Sequence, residues 1–254
     1  MVANKWFSVR PARAVPALRL FCFPHVGAGA SAFNLWRPAW VPDNIELWTV
    51  RLPGREQRLS EKPFHRMGPL VEALYEAMAT ELSRPYAFYG HSLGSLVAFE
   101  MARKIQRQGG QGPIHLLVSA HPAPQVGSCR EVLHNLPDKE FVEALRRFAG
   151  TPDEALENED LMSIMMVALR ADFEVDEMYS YEEGPPLGCP ISVFGGIDDA
   201  DVSQANLAAW KTLTSQEFNL QMMEGDHFFI FRSPDFPRRL FQELKGHQQE
   251  AIER

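Results

Sequence analysis

Tyr86-Ala-Phe-Tyr-Gly-His-Ser-Leu-Gly94 joins two segments of different period. Pro85 opens the short aromatic run Tyr86–Tyr89, which reads as a strand. Past the glycines, Ala98, Met101, Ala102 and Ile105 share one helical face, Glu100, Arg103, Lys104 and Arg107 the other, and Gly109-Gly110 end the helix. The same alternation extends outward in both directions. Upstream, Ala17–Phe23 and Ile45–Val50 are strand-like, and Leu70, Val71, Leu74, Tyr75, Met78 and Leu82 fall at helical spacing. Downstream come strand-like Ile114–Ser119, Pro190–Phe194 and Glu217–Met222, a helix around Ala205 to Leu213, and a last helix from Pro234. Short apolar strands alternating with helices predict an α/β fold, a mainly parallel sheet with helices on both faces, in one domain spanning 1–254. Residues 125–185 break the alternation. They hold two helical patterns in succession (Phe141, Leu145, Phe148; then Leu161, Ile164, Met165, Ala168, Leu169) with no strand between, which predicts a helical insertion over the sheet.

Composition narrows the class. Of 254 residues, 45% are hydrophobic and 23% charged, with 17 Phe and 5 Trp, which is enough apolar side chain for a substantial core and excludes a disordered chain. No stretch approaches the ~18 apolar residues of a spanning helix, and the opening segment lacks a basic region followed by an apolar block, so the chain reads as cytosolic. Twenty-five Lys and Arg against 33 Asp and Glu give a net charge of −8, which repels nucleic acid and anionic membrane. Cys22, Cys129 and Cys189 are odd in number and too widely spaced for a disulfide framework or a zinc site, so buried free thiols are expected. Neither a cofactor nor a metal is called for.

A serine between a strand and a helix N-terminus, flanked by two glycines, is placed as a nucleophile, so Ser92 is the first candidate catalytic residue. The bland alternative is a Gly-rich turn whose serine caps the helix. A hydroxyl needs a base and an orienting acid, which on this architecture follow in the order Ser, Asp or Glu, His. His227, in Glu224-Gly-Asp-His-Phe-Phe-Ile-Phe231, is a histidine late in the chain, in a loop between patterned elements, and is the candidate base. The acid is expected after the strand ending at Phe194, where Asp199 is preferred, Asp198 is the adjacent rival and Asp201 a distant third. Neighbouring side chains in an extended segment point oppositely, so only one of the first two can face His227. An oxyanion needs two donors. The backbone N–H of Leu93 supplies one, and that of Val26, in Phe23-Pro-His-Val-Gly-Ala-Gly29, is the candidate for the other; His25 is as readily a structural hydrogen-bonding residue.

At this level the chain closely resembles the type II thioesterases, stand-alone α/β-hydrolases that accompany polyketide and non-ribosomal peptide synthetases and some fatty acid synthases. The likeness runs from about residue 17 to 245. It includes Phe21-Cys-Phe-Pro-His-Val-Gly-Ala-Gly29, Arg51-Leu-Pro-Gly-Arg-Glu56, Phe88-Tyr-Gly-His-Ser-Leu-Gly94, Leu169-Arg-Ala-Asp172, Cys189-Pro190 and Gly225-Asp-His-Phe228. The resemblance implies an α/β-hydrolase fold with a helical lid at 125–185, and makes Ser92 and His227 the family's nucleophile and base. It matches Asp199 to the acid in a Gly-x-x-Asp-x-x-Val frame from Gly196 to Val202. It also implies hydrolysis of acyl groups from the phosphopantetheine arm of acyl or peptidyl carrier proteins, clearing stalled or misprimed chains.

The residues themselves support acyl transfer to water through an acyl-serine without separating thioester from oxygen ester. A carboxylesterase or lipase acting on small free esters is therefore the alternative, and a hydrolase-fold protein that only binds a partner is weaker because all three triad types are present in order. Met162, Met165 and Met166, beside Ile164 and Val167, suit a lid surface touching a flexible acyl chain, with plain core packing as the other possibility. The resemblance implies carrier partners that are typically acidic, so docking on a chain of net −8 calls for a local basic patch. Arg51, Arg55, Arg58 and Lys62 are the first candidates, Arg146 and Arg147 the second, and an internal ion pair is the competing role for Arg55.

Overall fold

The computed structural model describes residues 4–127, 131–148, 150 and 153–245; Cys129 lies outside them. Seven strands form one sheet in the order β1-β3-β2-β4-β5-β6-β7. The strands are β1 (Phe7–Arg10), β2 (Leu18–Phe23), β3 (Ile45–Val50), β4 (Tyr86–His91), β5 (Leu116–Ser119), β6 (Ile191–Gly196) and β7 (Phe218–Met223). All neighbours run parallel except β1, which pairs antiparallel with β3 from Phe7 opposite Val50 to Arg10 opposite Leu47. This edge strand escapes a reading by pattern because Ser8 and Arg10 dilute it, and pairing with β3 supplies what its own sequence lacks.

The helices are α1 (Met67–Met78), α2 (Leu93–Arg107), α3 (Asp138–Phe148), α4 (Asp153–Leu156), α5 (Glu159–Glu177), α6 (Gln204–Ala208), α7 (Phe229–Arg232) and α8 (Phe236–Glu243). Period-2 alternation sends the two sides of each central strand into separate cores. Phe21, Phe23, Tyr86, Phe88, Ile191 and Val193 pack under α1 and α2. On the opposite face, Leu20, Cys22, Ala87, Tyr89 and Phe194 meet Trp36, Phe236, Leu240 and Phe241 of the 3-10 turn Ala30–Leu35, its flank, and α8. Burial of each such side chain contributes ~1.5–3 kcal/mol. Cys22 and Cys189 are buried free thiols. Burial raises both out of the range of thiolate chemistry, Cys189 to about 12.

The segment between β5 and β6 carries three α-helices among its described residues. α3, α4 and α5 close a third core of their own around Leu133, Phe141, Leu145, Leu156, Leu169 and Phe173. Asn158 caps α5, its side chain accepting from the Leu161 N–H at 3.0 Å. Among the described residues no helix is long and apolar enough to cross a membrane.

Candidate active site

Ser92 occupies the turn between β4 and α2 with φ 53° and ψ −126°, a conformation that side-chain-bearing residues rarely adopt. The two glycines make the turn possible. A Cβ on Gly90 would lie 2.2 Å from the Gly94 carbonyl oxygen, and one on Gly94 would lie 2.0 Å from the Phe23 carbonyl oxygen. Those are backbone atoms of the turn itself and of the last residue of β2, so neither collision can be relieved by a rotamer change. Ser95 Oγ ties the turn down by donating to the Gly90 carbonyl at 2.9 Å, while the Ser92 N–H donates to the Ser119 carbonyl at 2.8 Å. The backbone thus holds Ser92 at the start of α2, over the C-terminal edge of the sheet, where ligands sit in folds of this type.

His227 follows β7, and its Nδ1–H donates to Asp199 Oδ2 at 2.8 Å. That assignment leaves Nε2 as the basic nitrogen. The other carboxylate oxygen, Oδ1, accepts from the backbone N–H groups of Asp201 at 2.9 Å and Val202 at 3.2 Å, so the carboxylate is fixed on both sides. The Asp199 side chain is 1% exposed, whereas Asp198 is exposed and its backbone N–H donates to the Gly225 carbonyl. Asp201 is exposed. The loops carrying Asp199 and His227 touch at Gly196, where a Cβ would lie 2.4 Å from the Asp226 carbonyl oxygen.

Ser92 and His227 line one narrow cavity of about 50 Å³ together with Val26, Leu145, Phe148 and Leu169. The sheet contributes the polar floor, and α3 and α5 contribute the apolar roof, so the helical insertion covers the site. The methionines are not that roof. Met162 is buried within the insertion's own core, Met166 packs half-buried against it, and Met165 borders a neighbouring open groove of about 520 Å³. A helix with apolar residues on nearly every side does not show by pattern which face meets the cavity.

His25 and His91 complete the floor. The His91 ring lies 5.5 Å from His25 and 5.4 Å from His227, centroid to centroid. His91 Nδ1 is 2.9 Å from Ser119 Oγ, but its Nε2 and the Nδ1 of His25 are sealed from solvent without a partner among the described residues. Burial pushes His25 down to about 3, helped by His227 and Arg55, and holds His91 well below the ordinary histidine range, so both rings are neutral at pH 7.

The loop Arg51–Lys62 does not form the expected basic patch. Arg55 and Arg58 are 7% and 4% exposed. Arg58 stacks on Trp6 at 3.9 Å and donates to the Arg51 carbonyl and to Glu61, whose carboxyl these contacts and Lys5 hold down at about 2. Arg55 is turned inward onto Asp172 of α5, with Nη2 2.7 Å from Oδ1. The internal ion pair is therefore its observed role. A run of arginines shows charge in sequence but not the partners that fold it inward. Arg146 and Arg147 stay exposed at the end of α3, beside Glu143, Asp153 and Glu131.

The thioesterase-domain family profile matches residues 18–244. Gramicidin S biosynthesis protein GrsT of Aneurinibacillus migulanus is 42% identical over 230 residues, which cover 91% of this chain and 90% of that one. The solved structure of BorB, the type II thioesterase from the borrelidin biosynthetic cluster, superposes with TM-score 0.85 at 32% identity over 94% of this chain and 98% of its own. That of YbtT, the type II thioesterase from the yersiniabactin pathway, does so with TM-score 0.84 at 30% identity over 95% and 97%. An elbow serine beside a carboxylate-bound histidine on a seven-stranded, mostly parallel sheet is what an α/β-hydrolase presents, and the match across nearly the whole chain goes further: this chain belongs to the thioesterase family and is a thioester hydrolase.

Proposed function

We propose that the chain removes acyl or peptidyl groups from the phosphopantetheine arm of carrier proteins in trans, in the cytosol, through an acyl-serine on Ser92. The strained elbow that delivers Ser92 into one cavity with an Asp199-bound His227 carries this reading. His227 Nε2 takes the Ser92 hydroxyl proton as Oγ attacks the thioester carbonyl carbon. The tetrahedral oxyanion is met by the backbone N–H groups of Leu93 and Val26. As it collapses, the carbon–sulfur bond breaks and the imidazolium returns its proton to the departing thiol. Water, deprotonated by the same nitrogen, then attacks the acyl-serine carbonyl; as the ester C–O bond breaks, the imidazolium returns that proton to Ser92 Oγ and the acid leaves. Asp199 keeps the imidazole in the tautomer with Nδ1–H toward the carboxylate and stabilises the imidazolium between the two proton transfers.

The cavity supports an editing role. About 50 Å³ holds a few waters, so an acyl chain has to press on the roof formed by α3 and α5 or extend into the neighbouring open groove, which shares His25, Gly150 and Phe228 with the cavity. We read this insertion as a lid that admits short acyl groups readily and longer ones at a cost. The test compares an acyl group on a carrier protein, on free pantetheine and on nitrophenol at equal chain length. The expected order of kcat/KM is carrier, then pantetheine, then nitrophenyl ester. Charge reversal of Arg146 and Arg147 is expected to raise KM for the carrier substrate alone. Faster hydrolysis of the nitrophenyl ester than of either thioester would instead favour a general esterase.

A further inference from the structure

Two segments far apart in sequence, helix α5 and the loop of Arg55 and Glu56, converge on His25–Gly29, the loop that carries the Val26 N–H. Asp172 of α5 accepts from the Gly27 N–H through Oδ2 at 2.8 Å, and the same carboxylate takes both terminal nitrogens of Arg55. Arg55 Nη1 also donates to the Ala28 carbonyl at 3.2 Å. The next residue, Glu56, with φ 47°, turns the other way, and its carboxylate accepts from the N–H groups of Ala30 and Ser31 at 3.1 and 3.0 Å. Consecutive side chains of the Leu-Pro-Gly-Arg-Glu block therefore hold the two ends of one loop. Packing leaves that loop no slack: a Cβ on Gly27 would lie 2.4 Å from Leu169 Cδ2, and one on Gly29 would lie 2.2 Å from Glu56 Cδ. Asp172 and Arg55 are both nearly inaccessible, at 6% and 8% side-chain exposure.

We infer that Asp172, through its shared hold on Arg55 and the Gly27 N–H, is the positioning residue of the oxyanion loop. This rests on the Ser92 reading above. A backbone donor stabilises an oxyanion only when it is already aimed at the place where charge develops, since reorientation during the reaction costs what the contact returns. The Gly27 N–H belongs to the Val26–Gly27 peptide unit, so the Asp172 contact fixes the plane adjoining the one that carries the Val26 N–H and limits how far that donor can turn. The device also links roof to floor. Leu169 and Phe173 of α5 line the cavity, and Asp172 lies between them in sequence, so a shift of α5 by an acyl chain pulls on the loop that holds the donor. Acyl groups that displace α5 should therefore lose kcat rather than binding.

Asp172→Asn and Arg55→Lys are compared with wild type on acetyl-pantetheine. Two ligands accompany the kinetics: an alkyl boronic acid, which forms a tetrahedral anionic adduct with a serine, and an S-alkyl pantetheine thioether, which cannot react. The expected result for Asp172→Asn is a fall in kcat of about 100-fold with KM within about threefold. Its boronic acid Kd should rise by a similar factor while the thioether Kd stays put. Arg55→Lys, which keeps the buried charge but loses the fork, should move the same quantities in the same direction and less far, and it carries the test if Asp172→Asn does not fold by circular dichroism. Unchanged boronic acid affinity with reduced kcat, or parallel rises in KM and thioether Kd, would overturn the inference. A boronic acid that binds Ser92→Ala as well as wild type would overturn the Ser92 reading first, and the inference with it.

Discussion

Asp198 and Asp199 are neighbours with opposite fates. One faces water; the other is fixed by two backbone N–H groups and bonded to His227. Asp199→Asn is expected to lower kcat by about 10³–10⁴, since an amide at this position favours the wrong imidazole tautomer, whereas Asp198→Asn should stay within about twofold. Steady-state hydrolysis of one acyl-pantetheine by both variants measures this, and the reverse ranking would move the acid to Asp198. The sequence narrowed the acid to this loop but not to one residue, because the direction of each side chain depends on the Asx turn that Asp199 makes with Asp201 and Val202. Ser92 and its glycines were legible because much of the constraint is local: Gly90 meets Gly94 within the same five residues, while the clash of Gly94 with Phe23 comes from elsewhere in the chain. Asp172 was visible only as part of a motif, for its partners lie 117 and 145 residues away.

At the level of elements, the central strands and their helices could be read from period alone, while β1 and the single-turn α4 and α7 could not, being too short to show one. The insertion was legible as helices but not as a surface, and this matters for specificity. Leu145, Phe148 and Leu169, not the methionines, form the apolar roof over Ser92. Phe148→Ala should raise kcat/KM for octanoyl relative to acetyl groups by roughly tenfold, because room for added methylenes returns up to ~0.8 kcal/mol for each one buried. A chain-length series on pantetheine thioesters checks it. An equal change at all lengths would mean that Phe148 serves only the packing of α3 on α5.

Across the whole molecule, two neutral histidines, His25 and His91, pack beside His227, with consequences for stability. In the unfolded chain His25 and His91 protonate near pH 6.5, whereas the fold holds His25 neutral down to about 3 and depresses His91 as well. Below about pH 6.5 the unfolded state therefore binds more protons, and stability falls as pH drops, by up to about 1.4 kcal/mol per pH unit for each ring. Urea unfolding of wild type and His25→Phe between pH 6.5 and 4.5 should give a shallower slope for the variant; parallel slopes would mean that His25 protonates in the fold. The net charge of −8 was legible in the sequence, but not where positive charge would remain exposed, since Arg55 and Arg58 are absorbed by the interior. The central claim is that hydrolysis runs through an acyl group on Ser92, and quenched-turnover mass spectrometry of wild type and Ser92→Ala with a slowly released acyl-pantetheine tests it most directly. The account predicts one acyl mass on the peptide that contains Ser92, and neither adduct nor turnover in the variant despite a native circular dichroism spectrum; an adduct elsewhere, or variant turnover within tenfold of wild type, would contradict it.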